Sequence, residues 1–386
     1  MDHALRMLQT TSRIVMGPGA LGSAPAEIKR LGGAKVLIVT DPGLVAAGLV
    51  GRLESLLDQA GITHGRFDQV PADPPYEVAG QAARMVKELG AQVIVGMGGG
   101  SALDIAKVAS VLSTNAGPVD ALFGIDLVPA PGLRTVLIPT TAGTGSEVTP
   151  IAILSDHHEK LKKGIVSPHL FPACALLDPE LTLGLPAAVT AATGMDALIH
   201  AVEAYTSKNA TPITDMLAKE AMTLIFANLR TAYANGSDLA AREAMLRGSL
   251  LAGMAFANAG VTAVHAFAYP IGAEFHIPHG VANSIMLAPV MEFNMLGNLP
   301  KFAAMASMFG EDTVGLSPRE AALTAVEAMR TLAEDLEVPM HLKRFGITDE
   351  DIPALAEGVM KVTRLLANNP RELKLQDAEA IYRRVL

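Results

Sequence analysis

Hydrophobic residues follow a different period in each half of the chain. In the first half, short runs rich in Val and Ile, such as KVLIVT (35–40), QVIVGMG (92–98) and TVLIPTT (135–141), alternate with amphipathic segments such as PPYEVAGQAARMVKELG (74–90). Strands that alternate with helices predict a parallel sheet covered on both faces. After about Thr182, Ala, Leu and Met recur at helical spacing with few strand-like runs, which predicts an all-α half.

This change of period divides the chain into two predicted domains. At 386 residues the chain is longer than one hydrophobic core usually supports. The boundary is expected within DPELTLGLPAAV, where two prolines and a glycine interrupt both periods. We therefore predict an α/β domain over residues 1–182 and an all-α domain over residues 183–386.

Composition argues against several classes of function. The formal net charge is -9, whereas a nucleic-acid-binding surface needs a basic footprint. The stretch 248–273 lacks Asp, Glu, Lys and Arg and is long enough to cross a bilayer, but Asn258, Pro270 and four glycines make buried helices the better interpretation. A single cysteine, Cys174, and the absence of a signal-peptide pattern predict a cytoplasmic protein that does not enter a membrane.

Three consecutive glycines, Gly98–Gly100, lie between the strand pattern VIVGM and the helical pattern ALDIAKVAS. Without Cβ atoms this turn can approach a ligand closely, and the N-terminus of the following helix favours an anion such as a pyrophosphate. Ser101 is predicted to be the N-cap of that helix. A tight turn that needs glycine only for its positive φ is an equally good interpretation, because Ser101 breaks the third position of G-x-G-x-x-G.

Two further features indicate a nucleotide at the same edge of the sheet. The segment PTTAGTGSEVTP (139–150) also follows a strand and is rich in glycine and hydroxyl groups. Asp41 follows KVLIVT directly, where a carboxylate can accept hydrogen bonds from an adenosine ribose and repel a 2′-phosphate, which favours NAD over NADP. The alternative role for Asp41 is to cap a turn or helix that begins at Pro42 and Gly43.

One carboxylate and three imidazoles in the helical half form a candidate metal site. Asp196 and His200 are spaced i, i+4 in ATGMDALIHAVEAYTS and therefore lie on one helix face. His265 lies in the charge-free helical run, and His279 lies in a turn between a proline and a glycine. Such a set suits Zn²⁺ or Fe²⁺, and burying it without a cation would be costly. For each histidine alone, a hydrogen-bonded core residue is the alternative interpretation.

The segments GGGSALDIAK, PTTAGTGSEVTP, ATGMDALIHAVEAY and VHAFAYPIGAEFHIPHGVAN, in this order, resemble the iron-containing (type III) alcohol dehydrogenase family. The resemblance covers essentially the whole chain, including VTDPGL near the start and NNPR at 368–371. It implies a Rossmann-like, NAD-binding α/β domain, an all-α catalytic domain and a homodimer. It also implies that one divalent metal is bound by Asp196, His200, His265 and His279.

The resemblance also implies which residues contact the nucleotide. They are Asp41, Gly98, Gly99, Ser101, Asp104, Thr140, Thr141, Ser146 and Lys162. Lys162 is followed by Lys163, so its assignment depends on a choice between two adjacent lysines.

One position departs from the family pattern. Many members that act on simple alcohols have a second histidine four residues after the third metal ligand, whereas this chain has Tyr269 there. Tyrosine has an ordinary pKa of about 10, which makes it a poorly matched base at neutral pH. We predict that Tyr269 or His276 takes part in releasing the proton through a chain of water molecules.

Together these patterns predict a metal-dependent, NAD-linked oxidoreductase that interconverts a primary or short functionalised alcohol and its aldehyde or ketone by hydride transfer. A hydroxyacid or maleylacetate reductase and a glycerol dehydrogenase are alternatives in the same superfamily. A dehydroquinate synthase is disfavoured, because no cluster of Lys or Arg accompanies the predicted ligands. A metal- and nucleotide-binding sensor without turnover is the alternative from another class.

Overall fold

The computed structural model describes residues 6–156 and 161–386 and divides the chain into two compact units. One unit spans Thr10–Gly184, and the other comprises residues 6–9 together with residues 185–386. The division lies two residues beyond Thr182, inside the proline- and glycine-containing segment. The functions assigned to the two halves stay predictions.

Within the described residues, the first unit contains a six-stranded sheet and a three-stranded sheet. The strands are β1 (Ile14–Met16), β2 (Lys35–Val39), β3 (Thr63–Phe67), β4 (Val93–Gly98), β5 (Gly124–Ile125), β6 (Arg134–Pro139), β7 (Ile151–Asp156), β8 (Leu161–Val166) and β9 (Cys174–Leu177). The larger sheet has the order β1-β9-β6-β4-β2-β3 with every pairing parallel, which confirms the predicted α/β fold. The smaller sheet, β5-β8-β7, was not predicted; β7 and β8 pair antiparallel.

Both faces of the six-stranded sheet are buried. Leu37 and Val39 of β2 belong to one hydrophobic cluster, whereas Val36 and Ile38 belong to the other. A strand that is buried on both faces needs a nearly continuous apolar run, which explains the sequence of β2. The helices of this unit are α1 (Ala24–Arg30), α2 (Pro42–Ala46), α3 (Leu49–Gln59), α4 (Glu77–Leu89) and α5 (Gly100–Thr114).

The described part of the second unit is helical, as the hydrophobic period predicts. Its helices are α6 (Ala187–Thr206), α7 (Pro212–Ala234), α8 (Leu239–Ala259), α9 (Ala263–Phe275), α10 (His279–Asn294), α11 (Leu299–Met308), α12 (Pro318–Asp335), α13 (Ile352–Lys361), α14 (Thr363–Leu366) and α15 (Leu375–Arg383).

The long stretch without charged residues forms parts of α8 and α9. These two helices are bent by 101° at the break between Ala259 and Ala263. Across residues 6–156 and 161–386, no single helix is long and apolar enough to cross a membrane, and α8 with α9 is the one bent pair that passes by length and composition. The break makes His265 the third residue of a new helix rather than part of a continuous one.

Candidate metal and nucleotide sites

The helix α6 carries the predicted carboxylate and the first predicted histidine. Asp196 and His200 are 3% and 5% exposed, and Oδ2 of Asp196 lies 4.0 Å from Nε2 of His200. The His200 ring stacks on Phe256 with ring centroids 4.3 Å apart, so its orientation is fixed by packing. The i, i+4 spacing therefore places both groups on one buried helix face, as expected.

The helices α9 and α10 supply the other two histidines from positions near their N-termini. His265 is the third residue of α9, and His279 is the first residue of α10, so the predicted turn at His279 is instead the start of a helix. Gly280 allows this start to approach α6, because a Cβ there would lie 2.2 Å from the carbonyl oxygen of Ala192. This close packing brings His279 to the carboxylate of Asp196.

Three of the four predicted ligands converge tightly. The ligand atoms of Asp196, His265 and His279 all lie within 4.8 Å of one another, and Oδ1 of Asp196 is 3.8 Å from Nε2 of each histidine. The fourth, His200, lies beside them with its Nε2 3.1 Å from Nε2 of His265. The side chain of His279 is 30% exposed, so the cluster is open on that side.

Asn283, which the sequence alone did not indicate, directs its amide into this cluster. Its Nδ2 lies 2.8 Å from Oδ1 of Asp196 and 3.2 Å from the Nε2 atoms of His265 and His279. An amide has two N–H groups, so Asn283 alone cannot donate to all three of these atoms. Within the described residues the Oδ1 atom of Asn283 also lacks a hydrogen-bond partner. A divalent cation would satisfy the converging lone pairs, so the donor set fits a metal.

The position of Asn283 on α10 gave a signal that could have been used. It lies four residues after His279, on the same helix face, in the fully buried part of α10. A polar residue on the face that carries a candidate ligand is a candidate partner of that ligand.

Electrostatic interactions keep the cluster's carboxylate ionised. Burial raises the pKa of Asp196, but the three neighbouring imidazoles and the hydrogen bond from Asn283 outweigh burial and lower that pKa to about 2. Burial lowers the pKa of His265, but the carboxylate of Glu203 outweighs this effect, so the net shift is upward. An ionised carboxylate at neutral pH is what a metal ligand requires.

Glu203 is a second residue that the sequence alone did not indicate. It is fully buried on α6, and its Oε1 accepts hydrogen bonds of 2.7 Å from the hydroxyl of Thr262 and from the backbone N–H of Val264. Its Oε2 lies 2.5 Å from Nδ1 of His265. Glu203 follows Asp196 by seven residues, and this two-turn spacing on an apolar helix was the available signal.

The structure places the two predicted relay residues differently. Tyr269 lies one turn after His265, with its ring centroid 6.5 Å from that of His265 and 6.1 Å from that of His279. His276 is exposed and ends α9 as its C-cap, with a left-handed φ of 53°. Tyr269 therefore borders the cluster, whereas the role of His276 rests on the sequence prediction.

The loops that follow β2, β4 and β6 lie at one edge of the sheet because these three strands are neighbours. The backbone N–H of Thr140, after β6, donates to the carbonyl of Gly98, at the end of β4, at 3.0 Å. Gly98 has a φ of 155°, and a Cβ there would lie 2.6 Å from Ala102 and 3.4 Å from Oδ2 of Asp41. A side chain at Gly98 would therefore collide with the start of α5. A Cβ at Gly99 would lie 3.7 Å from Thr141, so that residue borders the same turn.

The predicted N-cap of α5 is wrong. Gly99 is the N-cap, and Ser101 is the second residue of the helix. Gly99 supplies no side-chain oxygen, so the first amides of α5 have no side-chain cap. This arrangement suits an external anion better than a serine cap would, because the serine oxygen would occupy the amides that an anion needs.

Asp41 uses its two oxygens for different purposes. Its Oδ1 accepts a hydrogen bond of 3.0 Å from the backbone N–H of Leu44 and caps α2, which was the alternative role. Its Oδ2 is the oxygen that lies toward Gly98. Capping and contact with a ribose are therefore compatible at Asp41.

Asp104 and Ser146 hydrogen-bond to each other. The hydroxyl of Ser146 donates to Oδ1 of Asp104 at 2.5 Å, and the backbone N–H of Ile153 donates to Oδ2 at 2.8 Å. The ammonium group of Lys107, 1% exposed, lies 3.2 Å from Oδ1 of Asp104. This buried network fastens the loop 139–150 to α5.

The two adjacent lysines of β8 have different acidic partners. Lys162 donates to Asp73 at 2.7 Å, and Lys163 donates to Asp156 at 2.8 Å. Neighbouring residues of a strand point to opposite faces, so only one of the two can face a given ligand. The choice of Lys162 stays a prediction.

Two family models match nearly the whole chain. The model described as iron-containing alcohol dehydrogenase matches residues 11–179, and the C-terminal model of the Fe-containing alcohol dehydrogenase family matches residues 190–386. The chain belongs to the iron-containing alcohol dehydrogenase family. The resemblance found in the sequence is thereby confirmed.

Individual relatives match this chain over nearly its whole length, and the solved structures among them share its fold. It is 45% identical to the sulfoacetaldehyde reductase of Bilophila wadsworthia over 94% of each chain. A solved structure of 1,3-propanediol oxidoreductase is 40% identical, with a TM-score of 0.97 over 99% of this chain and 100% of that one. The sulfoacetaldehyde reductase of Bifidobacterium kashiwanohense, solved in complex with NAD⁺, is 29% identical with a TM-score of 0.88 over 99% of each chain. These likenesses confirm the fold class.

Proposed function

We propose that this chain is a metal-dependent, NAD-linked dehydrogenase that interconverts a primary or short functionalised alcohol and its aldehyde or ketone. The observation that carries the proposal is the convergence of Asp196, His265 and His279, whose ligand atoms lie within 4.8 Å of one another. When bound there, a divalent metal, Fe²⁺ or Zn²⁺, supplies Lewis-acid chemistry that lowers the pKa of an alcohol and polarises a carbonyl. Relatives named as aldehyde reductases and diol dehydrogenases support this reaction type.

The protein's own residues divide the remaining work. Asp196, His200, His265 and His279 hold the metal, and Asn283 orients the oxygen of Asp196 through a hydrogen bond of 2.8 Å. The 30% exposure of the His279 side chain supports access of the substrate from that side. Placing the alcohol carbon against the nicotinamide ring and excluding water then lower the barrier to hydride transfer.

The loops at the edge of the sheet hold the dinucleotide in this proposal. The first amides of α5, which lack a side-chain cap, take the pyrophosphate, and Asp41 takes the adenosine ribose. The bond between Asp104 and Ser146 keeps the loop 139–150 in position. Thr140, Thr141 and Lys162 complete the nucleotide contacts that family membership implies.

Proton release is assigned first to Tyr269 and second to His276. Tyr269 borders the cluster, and its hydroxyl passes a proton between waters more readily than it acts as a base, because its ordinary pKa is about 10. His276 is exposed and lies three residues before His279. In this proposal a bridging water would connect it to the site.

One observation favours a substrate with an anionic group as a second candidate class. Arg364 lies on α14, which packs against α9. The pKa of His265 is influenced most by burial, then by Glu203 and Asp196, and least by the positive charge of Arg364, which lowers it. Relatives named as sulfoacetaldehyde reductases support a sulfonate on a short aldehyde, an anion with which a guanidinium group can pair.

The proposal is tested by following the absorbance of NADH with a panel of neutral and anionic alcohols and aldehydes. Each compound is assayed with protein loaded with Fe²⁺, protein loaded with Zn²⁺ and protein stripped of metal. Turnover with at least one metal and none in the stripped protein is expected. Turnover without metal would contradict the mechanism. NAD binding without turnover on any compound would favour a metal- and nucleotide-binding sensor.

Arg364→Ala tests the anionic class of substrate and should raise KM about tenfold for anionic aldehydes only. An equal effect on neutral aldehydes would remove the anionic class.

A further inference from the structure

We propose that Glu203 is a positioning residue that fixes the tautomer and the orientation of His265 and thereby sets the affinity of the metal site. The inference rests on the proposed function, because it concerns the same four ligands. Glu203 is fully buried on α6 and is hydrogen-bonded to Thr262, Val264 and His265.

The first step concerns the backbone. Thr262 is the N-cap of α9 but makes no side-chain cap bond to the helix. Instead, Oε1 of Glu203 accepts hydrogen bonds of 2.7 Å from the hydroxyl of Thr262 and from the N–H of Val264. One carboxylate therefore satisfies an amide in the first turn of α9 that the helix itself leaves without a partner.

The second step concerns the imidazole ring. An ionised carboxylate only accepts hydrogen bonds, so Nδ1 of His265, 2.5 Å from Oε2 of Glu203, is the protonated nitrogen of the neutral ring. Nε2 then carries a lone pair, and it lies 3.8 Å from Oδ1 of Asp196 and 3.2 Å from Nδ2 of Asn283. Glu203 thus directs this lone pair into the metal cluster, as carboxylate partners of ligating histidines commonly do.

The third step concerns what glutamine would do in place of glutamate. If Gln keeps its oxygen toward Val264, its NH₂ group faces Nδ1 of His265 and moves the ring proton to Nε2, where it blocks a metal. If Gln is flipped, its NH₂ group meets the N–H of Val264 instead. Neither orientation reproduces the wild-type pattern: the first reverses the direction of the bond at Nδ1, and the second loses the bond from Val264, whose N–H can only donate.

The variant Glu203→Gln is expected to fold. Asn369 also holds the start of α9, since its Oδ1 accepts the N–H of Ala263 at 3.3 Å. Gln is close to Glu in volume and can keep the hydrogen bonds at one of its two atoms. Glu292→Gln serves as a matched control, because it removes a carboxylate that pairs with Arg384 in the same unit.

Two measurements on the metal-free full-length protein test the inference. Zn²⁺ affinity, measured by competition with a chelator, should fall about 10- to 100-fold in Glu203→Gln and stay unchanged in Glu292→Gln. Nitrogen NMR of ¹⁵N-histidine-labelled protein, with the His265 signals identified by their loss in His265→Gln, is recorded at a pH at which the ring is neutral. It should show the proton on Nδ1 in the wild type and on Nε2 in Glu203→Gln.

The outcomes separate this inference from the proposed function. Wild-type binding of Zn²⁺ that Asp196→Ala abolishes and Glu203→Gln leaves unchanged would overturn the role of Glu203 alone. Absence of Zn²⁺ binding in the wild type would overturn the metal site itself. If Glu203→Gln fails to fold by circular dichroism, the wild-type spectrum decides: a proton on Nδ1 of His265 supports the inference, and a proton on Nε2 overturns it.

Discussion

The proposed metal site and the proposed nucleotide loops are built from different parts of the chain. The cluster depends on side-chain atoms of four residues on three helices. The loops combine side chains such as Asp41 with backbone groups and with positions where a side chain cannot fit, such as Gly98. Removing a side chain should therefore disable the first site, and adding a methyl group should disable the second. The two sites are therefore expected to be most sensitive to opposite kinds of substitution.

The largest expected effect is on the cluster. Asp196→Ala removes the carboxylate among the converging ligands and leaves the loops after β2, β4 and β6 unchanged. We expect turnover to fall at least about a thousandfold, because Lewis-acid stabilisation contributes several kcal/mol to the transition state. The Kd for NAD should change by no more than roughly twofold, as fluorescence titration would show.

Asp335→Ala is the control for this prediction. It removes a half-exposed carboxylate that pairs with Arg230 at 2.6 Å in the same unit, so turnover should be retained. If Asp196→Ala weakened NAD binding as much as turnover, the carboxylate would affect the nucleotide site as well as the metal site, and the prediction would be wrong.

The second expected effect concerns Glu147, a buried acid in the nucleotide loop 139–150. Burial raises the pKa of Glu147 from 4.5 to about 7, and this effect outweighs a hydrogen bond from its own backbone N–H and the charge of Lys107, which both lower the pKa. In the described ranges, Oε1 of Glu147 has no hydrogen-bond partner. Between pH 4.5 and 7 the unfolded chain therefore binds fewer protons than the folded chain, and the free energy of unfolding falls as pH rises. The full decrease is about 3 kcal/mol.

Glu147→Gln should remove that decrease. Urea denaturation at a series of pH values would show a smaller loss of stability from pH 4.5 to 8 than in the wild type, by about 3 kcal/mol. Glu350→Gln, at an exposed carboxylate, should keep the wild-type slope. An unchanged slope in Glu147→Gln would show that this carboxyl is not the buried acid that responds to pH.

The ligands of the proposed metal site differ in how well the sequence alone predicts them. The i, i+4 pair of Asp196 and His200 was visible because helix geometry is local. His265 and His279 were named from their position in a stretch with few charged residues, and the family resemblance pointed to the same four residues. Glu203 and Asn283 were not indicated, because folding brings them to distant residues. Glu203 contacts His265, 62 residues away, and Asn283 contacts Asp196 and His265, 87 and 18 residues away, besides His279 on its own helix. A single sequence shows which residues share a face of one helix but not which faces meet.

Two errors have local causes. Ser101 was predicted as an N-cap from its side-chain chemistry, but the glycine run lets the helix begin two residues earlier, after Gly99. The smaller sheet was missed because β8 reads LKKGIV, which lacks an apolar run or strict alternation. Its pairing with β7 is determined by contacts rather than by its own pattern.

The third expected effect is on the loops. Gly98→Ala places a Cβ 2.6 Å from Ala102 at a φ of 155°, which an alanine adopts only with strain. We expect a loss of about 2 kcal/mol in the free energy of unfolding and a higher KM for NAD. Gly51→Ala, in α3 with no atom within 4 Å of the new Cβ, should leave KM unchanged and raise stability slightly.

If Gly98→Ala and Gly51→Ala changed the KM for NAD equally, the close approach at Gly98 would not contribute to the nucleotide site. Denaturation and steady-state kinetics on the same preparations would make that distinction.

The smallest expected effect concerns the choice between NAD and NADP. Asp41→Asn keeps an oxygen that can cap α2 through the N–H of Leu44 but removes the negative charge, whereas Asp41→Gly removes both. Without the charge, a 2′-phosphate is no longer repelled, so the ratio of kcat/KM for NADP to that for NAD should rise about tenfold in both variants. Asp41→Gly should in addition unfold more easily, since it loses the cap. An unchanged ratio in Asp41→Asn would show that the carboxylate serves the helix alone and that selectivity for NAD arises elsewhere in the loops.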